Sequence, residues 1–265
     1  MLMRKISLVT IEARLREILG RAIAAHVFPG CVAGIATAGG TELVLPMGTQ
    51  TYETGAAAIG EDSIFDVASV TKAVPTSTLA LMALEQGRIT LETPLCSLVP
   101  QFQNSSRAEV TVWHLLTQTL DHGYALSSCK GLAPIDMLHI ILTRDFRTPP
   151  GQRFSYSNAT SILLGMLVER AFDKPLDCLA PELIFEPLMM TRTGFSPRNF
   201  IKSEIVPTEI DDWRGRVIPG EIPDESAYSV ENLMVGKRVA IFGGVGRDHY
   251  WPILKEAGVD NEDYE

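Results

Sequence analysis

Apolar residues recur at helical spacing over 11–26, where Ile11, Leu15, Ile18, Leu19, Ala22, Ile23 and His26 share a face. Phe28-Pro29-Gly30 ends that pattern. The period then drops to two, and residues 31–37 and 41–47 read as strands joined through Gly39-Gly40, a hairpin signal. Residues 69–86 read as a helix stopped by Gly87. Its stretch Leu79-Ala80-Leu81-Met82-Ala83-Leu84 is apolar nearly all round, which predicts a central, buried helix. Pro75 cannot donate to the carbonyl of Thr71, so a kink is expected there, or a separate turn carrying Ser69 to Lys72.

Further helices are predicted over 112–119 and 135–143, followed by a loop at Pro149-Pro150-Gly151. Asn158 is the expected N-cap of a helix over 159–171. Residues 181–190 suggest a short helix, 196–230 an extended loop, and 239–242 a strand running into glycines. If later strands are missing, 239–242 is expected to pair beside the 31–47 hairpin; otherwise that sheet has an unprotected edge and the chain tends to self-associate.

The 265 residues suffice for one large domain or two intimate lobes. With 46% hydrophobic and 21% charged residues the chain is an ordinary globular one. A net charge of −9 without a basic stripe argues against nucleic acid as a partner. Cys31, Cys96, Cys129 and Cys178 lie far apart, with no metal-ligand spacing, and read as buried free thiols. His26, His114, His122 and His139 show no metal-pair spacing either, and His114 reads as a satisfied core residue. No secretory apolar core follows the N-terminal basic residues and no apolar run reaches membrane-span length, so the expected location is cytoplasmic.

Against this background two motifs carry chemistry. Ser69-Val70-Thr71-Lys72 places a hydroxyl and an amine on one face of a helical turn, where the amine can take the serine proton and leave a nucleophile. A chain this long holds about one Ser-x-x-Lys by chance, and a second copy does occur at Ser127-Ser128-Cys129-Lys130. Tyr156-Ser157-Asn158 is the one Tyr-x-Asn in the chain. A phenol beside an ammonium is acidified and can shuttle a proton. The neighbouring asparagine can hold the lysine or a substrate amide. Without further context Asn158 is a helix cap and Tyr156 a surface ring.

The context is supplied by Phe65-Asp66-Val67-Ala68 before the first tetrad, Leu84-Glu85-Gln86-Gly87-Arg88-Ile89 after its helix, Pro150-Gly151-Gln152-Arg153-Phe154-Ser155 before Tyr156, and Phe185-Glu186-Pro187-Leu188-Met189-Met190 further on. Together, over roughly residues 10–230, these resemble the serine β-lactamase/penicillin-binding-protein-like family, in particular its class C β-lactamase-related esterases and D-aminopeptidases; Ser-x-x-Lys is a motif of that group. The resemblance implies that Ser69 is the nucleophile of an acyl-enzyme, Lys72 the base or proton relay, Tyr156 the second acid/base, and that Asn158 positions substrate or lysine. It implies an oxyanion hole built from the serine N–H and an edge-strand N–H. It also reduces Ser127 and Lys130 to chance.

Two departures stand out. Leu115-Leu116-Thr117-Gln118-Thr119-Leu120-Asp121-His122-Gly123 carries Gln118 and Leu120 where the family has histidine and serine, which puts the loop beside the site in question. The family's third motif, on a strand lining the pocket, is not recognisable from about Gly236 onward.

The fold expected is α/β of the α+β type: an antiparallel, incomplete sheet flanked by helices, plus a mostly helical lobe. Residues 1–265 form one β-lactamase-like domain, with 1–65 and 181–265 as the α/β lobe and 66–180 as the helical lobe. The expected function is hydrolysis of a small ester or amide, a β-lactam or D-amino-acid peptide among them, with no cofactor and no metal. The alternative is a truncated, weakly active or inactive homologue that binds a ligand or partner.

Overall fold

The Gly39-Gly40 turn closes the hairpin where the alternation places it. In the computed structural model, which describes residues 8–102, 107–129, 132–195, 200–208, 210–211 and 215–218, β1 (Gly30–Thr37) and β2 (Gly40–Gly48) are antiparallel, with Gly30 opposite Gly48 and a bulge between Ile35 and Ala36. The open end of this ladder demands glycine: a β-carbon on Gly30 would lie 2.5 Å from the Thr49 carbonyl oxygen. The first helix, α1 (Leu8–Ala24), packs against β2. None of its residues is fully buried; Ile11, Leu15, Leu19, Ala22 and Ile23 are half-buried, while Ile18, expected on the same face, is exposed.

By its contacts the chain forms two compact units. One takes in the described residues up to Asp66 together with those from Phe200 on; the other takes in the described residues from Val67 to Phe195. In the first unit, Ile64 bridges Ile205 in parallel, and Gln50 Nε2 donates to the Ser203 carbonyl at 3.0 Å. Within the stretch read as loop, Ile205 and Val206 are buried, and β3 (Ile210–Asp211) pairs with β4 (Arg216–Val217). These pairs are too short to show as periodicity. The strand expected over 239–242, and with it the hairpin's expected partner, lies outside the described residues.

The second unit is helical: α2 (Thr78–Glu85), α3 (Leu95–Leu98), α4 (Val112–Leu116), α5 (Pro134–Thr143), α6 (Asn158–Phe172) and α7 (Leu176–Ala180). The central helix is α6, not α2. Every residue of α6 from Ala159 to Val168 is buried, and α2, α3 and α4 all pack on it. By contrast α2 buries Leu79, Ala80 and Ala83 but leaves Leu81 56% exposed. Mean apolarity does not separate the two: α6 mixes Thr160, Ser161 and Gly165 into its buried run, because small residues let neighbouring helices approach closely.

Gly87 ends α2 as predicted. It adopts φ +68°, and the N–H of Arg88 returns to the carbonyl of Ala83. Pro181–Phe185 continues from α7 as a short π-helical turn that buries Ile184 and Phe185 in the helical core. Among the described residues no helix is long and apolar enough to cross a membrane.

Candidate active site

The predicted break at Pro75 shapes the segment that carries Ser69 and Lys72. The N–H groups of Val70, Thr71 and Lys72 donate to the carbonyls of Val67, Ala68 and Ser69 at 3.0–3.1 Å, forming a tight turn. Ala68, just before the serine, is held at φ +42°, a region its β-carbon disfavours. Lys72–Ser77 then forms a wide π-helical turn in which Val74 leaves helical geometry at φ −118°, ψ 106°. Three hydroxyls add hydrogen bonds to the carbonyls of this segment, of which Ala73 O also accepts from Thr78 N. Thr76 Oγ1 donates to Thr71 O at 3.1 Å, Ser77 Oγ to Lys72 O at 2.8 Å, and Thr78 Oγ1 to Ala73 O at 3.0 Å. The run Thr76-Ser77-Thr78 directly after a proline is the signal that the periodicity reading missed.

The turn exposes Ser69 and buries Lys72, which is 9% exposed. Lys72 Nζ donates to Ser69 Oγ at 2.8 Å. The same ammonium lies 5.0 Å from the centroid of the Tyr156 ring. Partial burial pushes the Tyr156 phenol up, but hydrogen bonds with Lys72 and Ser69 and the Lys72 charge outweigh it, so the net shift is downward. Ser69, Lys72 and Tyr156 therefore converge. The backbone N–H of Ser69 has no acceptor among the described residues, which leaves it available to an incoming oxygen.

Tyr156 is held by Gln118, the residue that departs from the family pattern. Gln118 sits at φ +54°. Its carbonyl accepts from Ser155 N at 2.8 Å and its side-chain Oε1 from Ser157 N at 3.0 Å. Its Nε2 donates to Ser161 Oγ on α6 at 3.3 Å. One residue thus brackets Tyr156 on both sides and ties that bracket to the central helix. Leu120, the other departure, is fully buried in the helical core.

Asn158 is not the cap of α6. Ser157 is: its extended backbone precedes the helix and its Oγ accepts from Ala159 N at 3.2 Å. Asn158 is the first helical residue, and its carboxamide has no hydrogen-bond partner among the described residues. It lines, with Tyr156, a cleft of about 490 Å³ that is also lined by Asp121 to Leu126, Arg147 and Arg153.

The histidines near this cleft serve structure. His114 Nδ1 accepts from Thr111 N at 3.0 Å at the start of α4. His122 shares a 3.0 Å hydrogen bond with Thr160 Oγ1 on α6. Burial, followed by the Arg107 charge, pushes its imidazole down to about 4, against the pull of Asp121. Of the second Ser-x-x-Lys, Lys130 lies outside the described residues, as does everything from Gly236 on.

Residues 15–228 match the family model described as Beta-lactamase. The chain is 31% identical over 207 residues to Esterase EstB of Burkholderia gladioli, covering 70% of this chain and 52% of the esterase. It is 24% identical over 197 residues to a putative D-alanyl-D-alanine carboxypeptidase of Escherichia coli K12, covering 63% of this chain and 44% of that protein. The chain thus spans about half the length of these curated relatives. Among solved structures, the D-alanine carboxypeptidase AmpC of Burkholderia cenocepacia superposes with a TM-score of 0.65 at 18% identity, over 89% of this chain and 68% of that one. The octameric penicillin-binding protein homologue of Pyrococcus abyssi gives 0.64 at 23% identity, over 88% and 58%. The fold is the β-lactamase-like α/β fold, here with helices and small antiparallel sheets that do not close.

Proposed function

Because this chain belongs to the Beta-lactamase family, we propose that it is a serine hydrolase that cleaves small esters or amides through an acyl-enzyme on Ser69. The observation that carries this reading is the convergence of an exposed Ser69 hydroxyl, a buried Lys72 ammonium and an acidified Tyr156 phenol.

The chemistry follows from that arrangement. Tyr156, held toward its phenolate by Lys72, takes the Ser69 proton as Oγ attacks the substrate carbonyl. The Ser69 N–H stabilises the oxyanion. On collapse of the tetrahedral intermediate, the Tyr156 phenol returns its proton to the departing alkoxide or amine. Water then attacks the acyl-enzyme by the same steps in reverse and releases the acid. Asn158 offers its unpaired carboxamide to the substrate or to Lys72. The esterase and carboxypeptidase relatives support the ester or amide class.

Hydrolysis of p-nitrophenyl acetate tests this. Turnover that disappears in Ser69→Ala is expected. Folded protein with no turnover, or turnover unchanged in Ser69→Ala, contradicts the reading.

A further inference from the structure

The segment that carries Tyr156 has two sides, and Ser69 and Lys72 meet only one of them. Ser155 N and Ser157 N donate to the carbonyl and carboxamide oxygens of Gln118 at 2.8 and 3.0 Å, and Ser157 is extended at φ −145°, ψ 135°. Amides two residues apart that point the same way mark an extended chain, in which alternate side chains share a side. Arg153, Ser155 and Ser157 line the cleft; Phe154 does not, and neither do Ser69 and Lys72. Tyr156, whose phenol hydrogen-bonds with Lys72 and Ser69, shares its side of the segment with Phe154.

Phe154 is 68% exposed. One exposed phenylalanine is ordinary on a protein surface, but this one has apolar company. The exposed residues flanking Ser69 in its turn, Val67, Ala68, Val70, Ala73 and Val74, are all apolar, and Lys72 is buried against the serine hydroxyl.

The chemistry gives this ring a direction. Tyr156 returns its proton to the departing oxygen or nitrogen, so that atom comes within hydrogen-bond reach of the phenol. The arm attached to it then lies along the side that Tyr156 shares with Phe154. Two extended residues rise about 6.6 Å, roughly the span of a five-carbon chain.

We propose that Phe154 is a specificity-determining residue whose ring packs on the leaving arm of the substrate, so that esters and amides of apolar alcohols and amines are favoured over those of short ones. The inference rests on the serine-hydrolase reading above. An aromatic face offers a large apolar contact at little cost in side-chain freedom.

Acetate esters that differ only in the leaving arm test this. Hexyl and ethyl acetate release alcohols of similar acidity, so the ratio of their kcat/KM values reads the contact made by the arm. A ratio of about tenfold in favour of hexyl acetate is expected, falling below about threefold in Phe154→Ala and lying between the two in Phe154→Leu. Phe154 lies outside the buried core, so both substitutions leave the packing intact. Methyl hexanoate against methyl acetate moves the same chain to the acyl arm, and that ratio should not change in Phe154→Ala. No preference for hexyl acetate, a preference equal in the wild type and Phe154→Ala, or an equally large effect of Phe154→Ala on the acyl arm overturns the proposal. If no ester is turned over, the failure lies with the hydrolase reading, and saturation-transfer NMR with 1-hexanol decides the arm site separately. Transfer to the alkyl chain that is lost in Phe154→Ala keeps the site; transfer that is absent or unchanged removes it.

Discussion

Lys72 Nζ stands 2.8 Å from Ser69 Oγ, yet the lysine is buried and the serine faces solvent. A cation fixed beneath an accessible hydroxyl polarises it and holds any nearby phenolate. Lys72→Met is therefore expected to slow Ser69 acylation by about 10²–10⁴-fold. It should also move the rising limb of the pH–rate profile to higher pH, since Tyr156 loses its counter-charge. Pre-steady-state release of p-nitrophenol across pH reads both effects. A loss of rate with the pH profile unmoved would show that Lys72 does not set the state of Tyr156.

Tyr156 has a directional pH signature. Its phenol lies below the usual tyrosine value because hydrogen bonds with Lys72 and Ser69, and the Lys72 charge, outweigh the upward push of burial. A lowered value means that the basic form gains population at lower pH, so the rate rises with pH and levels off below the pH at which a free tyrosine ionises. Tyr156→Phe removes this limb and costs about 10²-fold or more in kcat. The kcat profile of the two proteins between pH 6 and 10 is the check.

Gln118 acts on Tyr156 without touching the reacting atoms. Its carbonyl and its carboxamide oxygen accept from Ser155 N and Ser157 N, on either side of the tyrosine. Gln118→Leu keeps the backbone acceptor but loses the side-chain one and the tie to Ser161. The expected result is a kcat lowered about tenfold with KM changed less than twofold, and a pH limb displaced upward as the phenol drifts from Lys72. Gln118→Glu restores the acceptor and should recover part of kcat. A variant that loses stability with kcat and pH profile intact would confine Gln118 to scaffolding.

Much of this arrangement was legible in the chain, and what was not has identifiable causes. The hairpin, the stop at Gly87 and the break at Pro75 are local signals, set by turn residues and by a missing N–H. The cap of α6 was misplaced by one residue because Ser157 and Asn158 are both good caps, and only backbone geometry chooses between them. The centrality of α6 over α2 depends on which faces neighbours cover, as exposed Leu81 shows. The clamp at Gln118 pairs residues some 40 positions apart through backbone atoms, which have no identity in a sequence.

Glu169 gives the second unit a stability signature. Burial pushes its carboxyl up to about 8, against the hydrogen bond from Leu176 N at 2.8 Å. A carboxyl whose folded value is raised from 4.5 keeps a proton that the unfolded chain releases. Its contribution to stability is thus full below about 4.5 and is lost as pH rises through about 8. His122, lowered to about 4, acts oppositely, its contribution being full above 6.5 and lost as pH falls through about 4. Between pH 6.5 and 8.5, where the His122 contribution is already full, Tm should fall through the Glu169 effect. Glu169→Gln, which keeps an acceptor for Leu176 N, should flatten that decline. An equal fall in both proteins would mean that Glu169 is ionised in the folded state.

The central claim is that Ser69 is an activated nucleophile. Reaction with a fluorophosphonate, followed by proteolysis and mass spectrometry, tests it most directly. One covalent adduct per chain on Ser69, absent in Ser69→Ala and formed far more slowly in Lys72→Met, is the predicted result. Folded protein that stays unlabelled, or carries the label on another residue such as Ser128, contradicts the account.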